Sequence, residues 1–503
     1  MKRKQGVILS YILMIFEVLS TLLLTPYILR TLGQAEYGVY KLSASITAYL
    51  LLLDLGVGNS IIRFVSQYRA NRDVESERKF FAIGLLYYGF IALIVIVVGV
   101  VLILVFPTVF SNGLNEKEIV LGQKLLGLTV INATVTIGTT LFNNILIAYE
   151  KFSISKGFSI LQIIIRFIAT ICVLKLGFGS LGVVTVTLSL TVFTRVMFIL
   201  YVLFVIKIKP EFHGLSFGFI KEIITYSSLI LLQMVATQIN ASLDQILIGS
   251  LVASSSIIIT TYSIGTQIVQ YFQSIGSAFN GVLMPGVVRL VEQQPLSEKL
   301  CDEMVRIGRI LFMILGIIWG GFLVFGKQFI TLWAGNDNTK SYFVALILMI
   351  AYLFIITESI GTQILWAKNS HKEQSFMKLV VVLLNIALTI ILIKWNPLYG
   401  ATIGTFISLF VGDIVVMNII FSKKIKISLK QYYKNLFKGL GPCLIMVVIL
   451  GTIINLIPLS GWLGLCIKIG LMCIGYLILL LLFGMNKYEK SLIMSVVKIK
   501  WSK

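Results

Sequence analysis

Charged side chains are scarce in this chain. Asp, Glu, Lys and Arg make up 13% of its 503 residues, whereas a soluble domain carries about 25%. Continuous apolar runs recur from end to end, and each is long enough for a helix to cross roughly 30 Å of hydrocarbon. The runs do not alternate between apolar and polar residues, which argues against a membrane β-barrel. The composition therefore predicts an all-α integral membrane protein.

Motifs for metal, redox and nucleotide chemistry are also lacking. The five cysteines form no CxxC pair, and His213 and His371 lie far apart in polar loops. The chain has no DxD carboxylate pair, no Walker lysine motif for ATP and no long extracytoplasmic loop. We therefore predict that it is not an enzyme and has no metal or cofactor, with H⁺ or Na⁺ as the candidate coupling ion. A membrane glycosyltransferase or polymerase stays open as the alternative from a different class.

The apolar runs predict about fourteen transmembrane helices. Their approximate ranges are 6–29, 39–62, 80–106, 123–149, 157–176, 182–206, 223–251, 258–285, 307–333, 342–366, 377–395, 401–421, 439–457 and 463–484. Each range is uncertain by a few residues because helix boundaries are the least predictable feature of a sequence.

Basic side chains are concentrated in alternate loops. One set of loops, beginning with Lys2, Arg3 and Lys4, holds most of the 42 Lys and Arg residues, and the other holds little beyond Arg30, Lys117, Lys175, Lys340 and Lys394. By the positive-inside rule this asymmetry predicts that both termini are cytoplasmic. It also accounts for the formal net charge of +21 without a nucleic-acid partner, since the basic loops face cytoplasm and anionic headgroups.

A weak internal repeat suggests the domain organisation. Tyr40, Ile46 and Tyr49 recur as Tyr262, Ile268 and Tyr271 at a constant offset, as two six-span halves would require. We therefore predict two six-helix lobes around a central cavity plus two extra C-terminal helices. The predicted parts are an N-terminal lobe (1–206), a linker (207–222), a C-terminal lobe (223–421), an interfacial amphipathic segment (422–438), two further spans (439–484) and an amphipathic tail (485–503).

Ionisable side chains inside the predicted spans are the first functional signal. Each costs about 2.5–3.5 kcal/mol at the membrane centre. The cations are Lys41, Arg166 and Arg195. The carboxylates, which could bind a coupling ion or hold the arginines in place, are Glu17, Asp54, Asp244, Glu358 and Asp413.

Polar residues at helical spacing are the second signal, because residues three and four apart share a helix face. Such stripes occur on span 1 (Ser10, Glu17, Thr21, Thr25), span 4 (Thr129, Asn132, Thr136, Thr139, Asn143), span 7 (Gln233, Thr237, Asn240, Asp244) and span 8 (Gln267, Gln270, Ser274, Ser277). Hydrogen bonding between helices would need fewer polar groups, so we interpret the stripes as the lining of a hydrated cavity. The predicted substrate-binding residues are Lys41, Asn143, Arg166, Arg195, Gln233, Asn240, Gln267 and Gln270. The arginines would suit a diphosphate headgroup, which a guanidinium can bind through two parallel hydrogen bonds.

Two motifs near the start of the chain resemble those of a known family. They are TPYILRTLGQAEYGVYKLS (Thr25–Ser43) and LLDLGVGNSIIRFVSQYRA (Leu52–Ala70). The chain resembles the polysaccharide-biosynthesis flippases, the oligosaccharide repeat-unit translocases of the multidrug/oligosaccharidyl-lipid/polysaccharide exporter superfamily. Arg30, Glu36, Asp54 and Arg63 lie within the matching motifs. Their glycines, Gly33, Gly38, Gly56 and Gly58, are expected to permit tight turns and close helix packing.

The resemblance implies a MATE-like fold with its two lobes in a V. It implies transport of an undecaprenyl-diphosphate-linked oligosaccharide across the bacterial cytoplasmic membrane for surface polysaccharide assembly, by alternating access. A polysaccharide polymerase and chain-length machinery are then candidate partners. A peptidoglycan-precursor flippase and a cation-coupled multidrug antiporter remain as alternatives.

Overall fold

The computed structural model describes residues 2–213, 218–293, 297–368 and 371–491, and these contain helices and connecting turns but no strand. The α-helices of the first half are α1 (Lys2–Leu50), α2 (Val57–Ala70), α3 (Val74–Phe110), α4 (Glu116–Gly138), α5 (Thr140–Ala148), α6 (Phe152–Lys175), α7 (Gly179–Leu200), α8 (Gly218–Leu251) and α9 (Ser255–Glu292). Those of the second half are α10 (Ser297–Ala334), α11 (Ser341–Thr357), α12 (Ser359–Ala367), α13 (His371–Ile393), α14 (Pro397–Leu409), α15 (Met417–Ile420), α16 (Leu429–Phe437), α17 (Leu440–Asn455) and α18 (Gly461–Leu479).

The first two predicted spans lie in one almost continuous helical stretch. The stretch Ile8–Ala70 has 63 residues, so a straight helix of this length would measure about 95 Å, roughly three times the hydrocarbon thickness. Gly33 interrupts α1 with a φ of +76°, a conformation open to glycine but costly for other residues. The break at Gly33 therefore divides the stretch into two spans.

The prediction of a multi-pass, all-α membrane protein is confirmed. Within the described ranges, nine helices are long and apolar enough to cross a membrane, or up to eleven if each of two bent pairs is one span. The bent pairs are α11 with α12, at 40°, and α16 with α17, at 41°. The first of the nine contains two predicted spans, and parts of α8 and α9 fall on side chains that are not described. The count of fourteen spans stays a prediction.

The chain divides into two compact units. Unit 1 comprises Met1–Ser263 and Ile386–Ala401, and unit 2 comprises Ile264–Asn385 and Thr402–Lys503. The lobe boundaries expected from sequence, 1–206 and 223–421, stay predictions. Part of the expected linker 207–222 and most of the expected tail 485–503 lie outside the described residues.

Unit 1 is built around α1, which packs against α4, α6 and α8. Val39 and Leu42 of α1 and Leu125 and Leu126 of α4 are fully buried in its core. The outer face of α3 exposes a band of large apolar side chains, including Leu86, Phe90, Leu93, Val97 and Leu104. Such a surface is stable only against lipid, so α3 faces the bilayer.

Unit 2 is built around the 38-residue helix α10. Helices α11, α16, α17 and α18 all pack against it, and Leu300, Met304, Leu311, Leu315 and Ile330 of α10 are fully buried. One helix thus supplies the core to which the two extra C-terminal spans, α17 and α18, are attached.

A buried ion pair in unit 2 joins α10 to the C-terminal part of the chain. Arg309 of α10 and Glu489 are 4% and 3% exposed, and the guanidinium Nε and Nη2 donate to the two carboxylate oxygens at 2.6 and 3.0 Å. Arg309 also donates to the backbone carbonyls of Lys438 and Gly484, each at 2.7 Å. It therefore joins α10 to the chain after α16 and to the chain after α18.

Helix α16 forms the middle of the segment expected to be interfacial. Its side chains Tyr432 and Leu436 are fully buried, and the helix packs against α10. Lys430, Lys434 and Lys438 are exposed on its other side. The apolar face that the sequence revealed is thus used for packing within the protein, while the lysine face is left outside.

Structural repeats accompany the weak sequence repeat. The span formed by α4 and α5 is broken at Thr139, and the span formed by α11 and α12 is broken at Glu358. Lys207 and Lys426 each follow a π-helical turn and have positive φ, 62° and 61°. Thr139 and Glu358 are separated by the same number of residues as Lys207 and Lys426. The two halves of the chain therefore share the positions at which their helices break and end.

Replacing Arg309 with methionine should destabilise the protein strongly. The change leaves the buried Glu489 carboxylate without its partner, and breaking a buried pair in this way costs about 3–5 kcal/mol. Arg306→Met is the matched control, because Arg306 pairs with Glu303 on the exposed surface, where such pairs contribute about 1 kcal/mol or less. Thermal unfolding of the detergent-solubilised protein measures both. Equal melting midpoints for the two variants would contradict the structural role of Arg309.

Candidate functional site

The residues of the first motif serve mainly to pack unit 1. Glu36 accepts a hydrogen bond of 2.7 Å from the backbone N–H of Ser180. Ser180 stands in the first turn of α7, where free N–H groups and the helix dipole favour a carboxylate. The Glu36 carboxylate therefore caps the N-terminus of α7.

Gly38 lies where two backbones meet. A Cβ atom placed on it would come within 2.0 Å of the carbonyl oxygen of Ser256. One turn away, the Thr260 hydroxyl donates to the carbonyl of Gln34 at 2.6 Å. The glycine thus permits the second half of α1 to touch the start of α9, as the motif suggested.

The second motif builds a helix break around Asp54. Leu55 and Gly56 both have positive φ, 53° and 71°, and α2 begins directly after them. The Asp54 carboxylate accepts from the Tyr88 hydroxyl at 2.7 Å and from the backbone N–H of Gly58. Within the described residues no cation lies at ion-pair distance from Asp54. Its charge is stabilised by hydrogen bonds alone.

Arg166 and Arg195 lie on α6 and α7, which pack against each other. Gln162 contacts Thr191 at 3.4 Å, and the rings of Phe158 and Phe198 are 6.3 Å apart. This antiparallel register places Arg195 level with residues 158–161, about 10 Å along α6 from Arg166. The two guanidinium groups therefore stand at successive depths in the membrane.

Neither arginine forms an ion pair with a carboxylate of the described residues. Both are half-buried, and among the described residues neither makes an ion pair. The Arg195 guanidinium lies 5.9 Å from the centre of the Phe198 ring, an arrangement that contributes about 0.5–2 kcal/mol. This is well below the stabilisation that a carboxylate would supply at such a depth. In the described part of unit 1, Arg166 and Arg195 are thus two cations that form no ion pair.

The other predicted residues of unit 1 differ in their surroundings. The Lys41 ammonium lies 5.3 Å from the centre of the Tyr37 ring, and Asn143 accepts from the Ser155 hydroxyl at 2.7 Å. Asn240 is half-buried. Glu17 is exposed on α1, and its backbone carbonyl accepts from Thr21.

Asp244 of α8 is the most deeply buried carboxylate of unit 1, at 2% exposure. It accepts a short hydrogen bond from the Tyr262 hydroxyl and one of 3.2 Å from the Thr389 hydroxyl. The Tyr49 hydroxyl also lies close enough to interact electrostatically with it. Hydroxyl groups from three helices thus surround this carboxylate.

Unit 2 contains the remaining two carboxylates. Glu358, at the break between α11 and α12, accepts a hydrogen bond of 2.9 Å from Asn418 and one of 2.5 Å from the Tyr433 hydroxyl of α16. Asp413 forms an ion pair of 2.7 Å with Lys378. Both carboxylates therefore have partners within unit 2.

The predicted glutamines differ in how far their side chains are buried. Gln267 is buried and donates to the Tyr271 hydroxyl, whereas Gln270 is exposed. The side chain of Gln233 lies outside the described part of the chain.

Many hydroxyl groups in the stripes are satisfied inside their own helices. Thr21, Thr139 and Ser274 each donate to the carbonyl of the residue four positions earlier, at 2.8, 2.6 and 2.8 Å. Such bonds are available to Ser and Thr in any helix. A polar stripe of hydroxyls is therefore weaker support for a hydrated cavity than the amides and arginines are.

Two buried charged residues, Arg309 and Lys468, were not predicted from the sequence as individual sites. The sequence places Arg309 among the basic loop residues, although it is buried in α10. Lys468 of α18 is 4% exposed and donates only long bonds of 3.4 Å to Asn455. A signal existed for the first, since Glu489 is the only acidic residue after Asp413. For Lys468 the only signal was its position inside an apolar run.

Comparison with known proteins gives a consistent family and fold. The family model described as polysaccharide biosynthesis protein matches residues 4–291, more than half of the chain. A Shigella flexneri protein described as an O-antigen transporter is 20% identical over 403 residues, which are 77% of this chain and 90% of that protein.

Solved structures of two transporter types share the fold. The lipid II flippase MurJ in an inward closed conformation has a TM-score of 0.73 at 17% identity, covering 94% of this chain and 97% of that chain. An inward-facing multidrug resistance MATE transporter has a TM-score of 0.60 at 14% identity, covering 82% and 95%. The predicted MATE-like fold is confirmed. The prediction that the chain is not an enzyme is supported by relatives that are transporters and flippases.

Replacing Gly38 with alanine should destabilise unit 1, because the added methyl group would overlap the Ser256 backbone and backbone cannot yield as a flexible side chain can. We expect a loss of about 1–3 kcal/mol. Gly89→Ala is the matched control, since a Cβ at Gly89 in α3 meets nothing within 4 Å and alanine is the better helix former. Thermal unfolding in detergent should lower the midpoint only for Gly38→Ala. An unchanged midpoint there would show that the contact does not constrain the fold.

Proposed function

Because the chain belongs to the polysaccharide biosynthesis protein family, whose model matches residues 4–291, we propose that it is a flippase for a lipid-linked oligosaccharide. The cargo is an oligosaccharide repeat unit on undecaprenyl diphosphate, moved from the cytoplasmic to the outer leaflet of the bacterial cytoplasmic membrane by alternating access. The product then serves the assembly of a surface polysaccharide, with a polymerase and chain-length machinery as downstream partners.

The observation that carries this proposal is that Arg166 and Arg195 have no carboxylate partner in the part of the chain that the structure describes. An unpaired cation in the membrane is costly, and an anionic cargo removes that cost when it binds. A guanidinium binds a phosphate through two parallel charge-assisted hydrogen bonds. Arg195 and Arg166 stand about 10 Å apart in depth, so a diphosphate can pass from the level of one to the level of the other.

Unit 2 offers a surface suited to the lipid part of the cargo. Two cavities of about 320 and 560 Å³ share the lining residues Ile317, Ile318 and Cys473 and are lined almost wholly by apolar side chains. Together they follow α10 from Ile310 to Phe329, a length of about 28 Å that matches the hydrocarbon core. An isoprenoid chain can lie along such a path while its headgroup moves.

A peptidoglycan lipid precursor is the second candidate cargo. The TM-score of 0.73 to the lipid II flippase MurJ over 94% of this chain favours it, and its lipid and diphosphate chemistry would fit the same arginines. The O-antigen transporter relative and the family model favour the oligosaccharide repeat unit. A multidrug antiporter fits less well, because a cationic drug would be repelled by unpaired arginines.

Asp244 is the proposed coupling residue. It is buried, and hydroxyl oxygens of Tyr262, Thr389 and Tyr49 lie around it. The Tyr49 hydroxyl has no hydrogen-bond partner among the described residues. A carboxylate with several hydroxyl oxygens can hold either a proton or a small cation such as Na⁺. This arrangement would link cargo movement to an ion gradient.

Neutralising the arginines should abolish transport. In proteoliposomes with fluorescent undecaprenyl-diphosphate oligosaccharide in the inner leaflet, we expect Arg166→Gln and Arg195→Gln each to slow flipping about ten- to a hundredfold, since each removes a charged hydrogen bond of about 1.5–3 kcal/mol. Lys175→Gln, which removes an exposed charge from the same helix α6, is the matched control. Undiminished flipping by the double glutamine variant would refute the diphosphate site.

Replacing Asp244 with asparagine should uncouple transport from the ion gradient. The amide can neither bind a proton nor neutralise a cation, so an imposed pH or Na⁺ gradient should no longer accelerate flipping, while binding of the cargo to detergent-solubilised protein is retained. Glu17→Gln removes an exposed carboxylate of α1 as the control. If Asp244→Asn still responds to either gradient, another residue carries the coupling.

A further inference from the structure

Helix α16 presents a row of lysines on the side away from the protein core. Lys430 and Lys434 of α16 and Lys438, the residue directly after its end, are exposed. They recur every four residues, which places Lys430 and Lys434 on one helix face about 6 Å apart. Within the described residues none of them makes an ion pair. Two positive charges are thus held on the helix itself and a third at its C-terminal end.

The opposite face of α16 is fixed to the protein by specific contacts. Tyr432 and Leu436 are fully buried, and the Tyr433 hydroxyl donates to Glu358. Arg309 donates to the carbonyls of Asn435 and Lys438 at 3.0 and 2.7 Å. The helix therefore cannot roll its lysines inward, and it need not insert its apolar face into lipid as a free amphipathic helix does.

The position of α16 matches the depth of the lipid headgroups. It leads into the span α17 after a bend of 41°, so its nine residues advance about 10 Å along the axis of that span. The polar layer on each side of a bilayer is roughly 5–8 Å thick. With α17 as the spanning helix, the lysines would therefore lie within this layer, on the side that the loop charges predict to be cytoplasmic.

The surrounding sequence increases the positive charge and adds no negative charge. Lys423, Lys424 and Lys426 precede α16 by a few residues, and the chain has no Asp or Glu between Asp413 and Glu489. Such a segment attracts anions strongly, because each lysine near an anionic membrane surface contributes about 1 kcal/mol. No acidic side chain in this part of the sequence can compete for it.

We propose that the exposed face of α16 is a binding site for anionic phospholipid of the inner leaflet. The phosphate groups of lipids such as phosphatidylglycerol lie beside Lys430, Lys434 and Lys438, and their acyl chains remain in the bilayer. The site is distinct from the arginines of unit 1 and does not depend on the identity of the cargo. Because α16 also holds Glu358 at the break between α11 and α12, bound lipid stabilises the cytoplasmic end of unit 2.

Native mass spectrometry of the full-length protein in detergent tests this site. Phosphatidylglycerol and phosphatidylcholine are added separately, and the protein should retain phosphatidylglycerol in preference. The triple variant Lys430→Gln, Lys434→Gln, Lys438→Gln should bind phosphatidylglycerol at least about tenfold more weakly, since one lysine corresponds to roughly fivefold in affinity. Phosphatidylglycerol should also raise the melting midpoint of the wild-type protein more than that of the variant, because a ligand of the native state stabilises it.

Two matched variants separate a built site from general positive charge. Lys151→Gln, Lys207→Gln, Lys209→Gln removes three exposed lysines from cytoplasmic loops of unit 1 and should leave the preference unchanged. Replacing the three α16 lysines with arginine should also preserve it, which covers the case in which the glutamine variant fails to fold.

Three outcomes would overturn the proposal. One is equal weakening in the α16 variant and the unit 1 variant. Another is wild-type protein that binds phosphatidylcholine as well as phosphatidylglycerol. The third is binding of a soluble polyglutamate peptide through the same lysines without any preference for phosphatidylglycerol, which would assign the face to an acidic protein partner instead.

Discussion

The free-energy cost of placing a charge in the low-dielectric membrane explains most of the features that distinguish this protein from a simple helix bundle. The charged residues inside the spans fall into three groups. Arg309 with Glu489, and Lys378 with Asp413, are ion pairs. A second group of carboxylates is stabilised by hydroxyl groups. The third group, Arg166 and Arg195, has neither solution within the described residues, which is why it attracts a functional interpretation.

The second group follows a recurring pattern. Asp54 accepts from Tyr88, Asp244 from Tyr262 and Glu358 from Tyr433. A tyrosine hydroxyl stabilises a carboxylate by a hydrogen bond without cancelling its charge, so each site can still take up a proton or a cation. Because hydroxyl groups stabilise these carboxylates, the carboxylates are not needed as partners for Arg166 and Arg195. From sequence, the carboxylates could equally have served to hold the arginines in place, and the geometry of the described residues favours the separation of the two sets.

The sequence alone was enough to predict the fold class and the structural role of several motif residues. Apolar run length predicts spanning helices because every backbone polar group in hydrocarbon must be satisfied within its own segment. The glycines of the first motif were correctly expected to permit a turn and a close contact, as Gly33 and Gly38 do. These features depend on local chemistry, which sequence carries directly.

Partners that are distant in sequence were not predictable in the same way. Glu36 with Ser180, and Arg309 with Glu489, are separated by well over a hundred residues, and charge alone does not reveal which acid meets which base. Arg309 was grouped with loop residues because the first turns of α10 contain many charged residues, whereas contacts with Lys438, Gly484 and Glu489 bury it. The break at Glu358 was also hidden, since α11 and α12 form one continuous apolar run.

The arginines and the proposed cargo place a condition on the transport cycle. A diphosphate brings about two negative charges, so a loaded unit 1 is close to neutral at the depth of Arg166 and Arg195, whereas an empty one is cationic there. Passing through an occluded state that excludes water therefore costs less free energy for the loaded protein than for the empty one. In the proposed cycle, the empty protein would return either with the arginine charges neutralised by another group or with the arginines in contact with water. Protonation of Asp244 would make the empty state still more positive, and its deprotonation would offset one of the two charges. An ion released from Asp244 during the empty return thus fits the electrostatics better than an ion that stays bound.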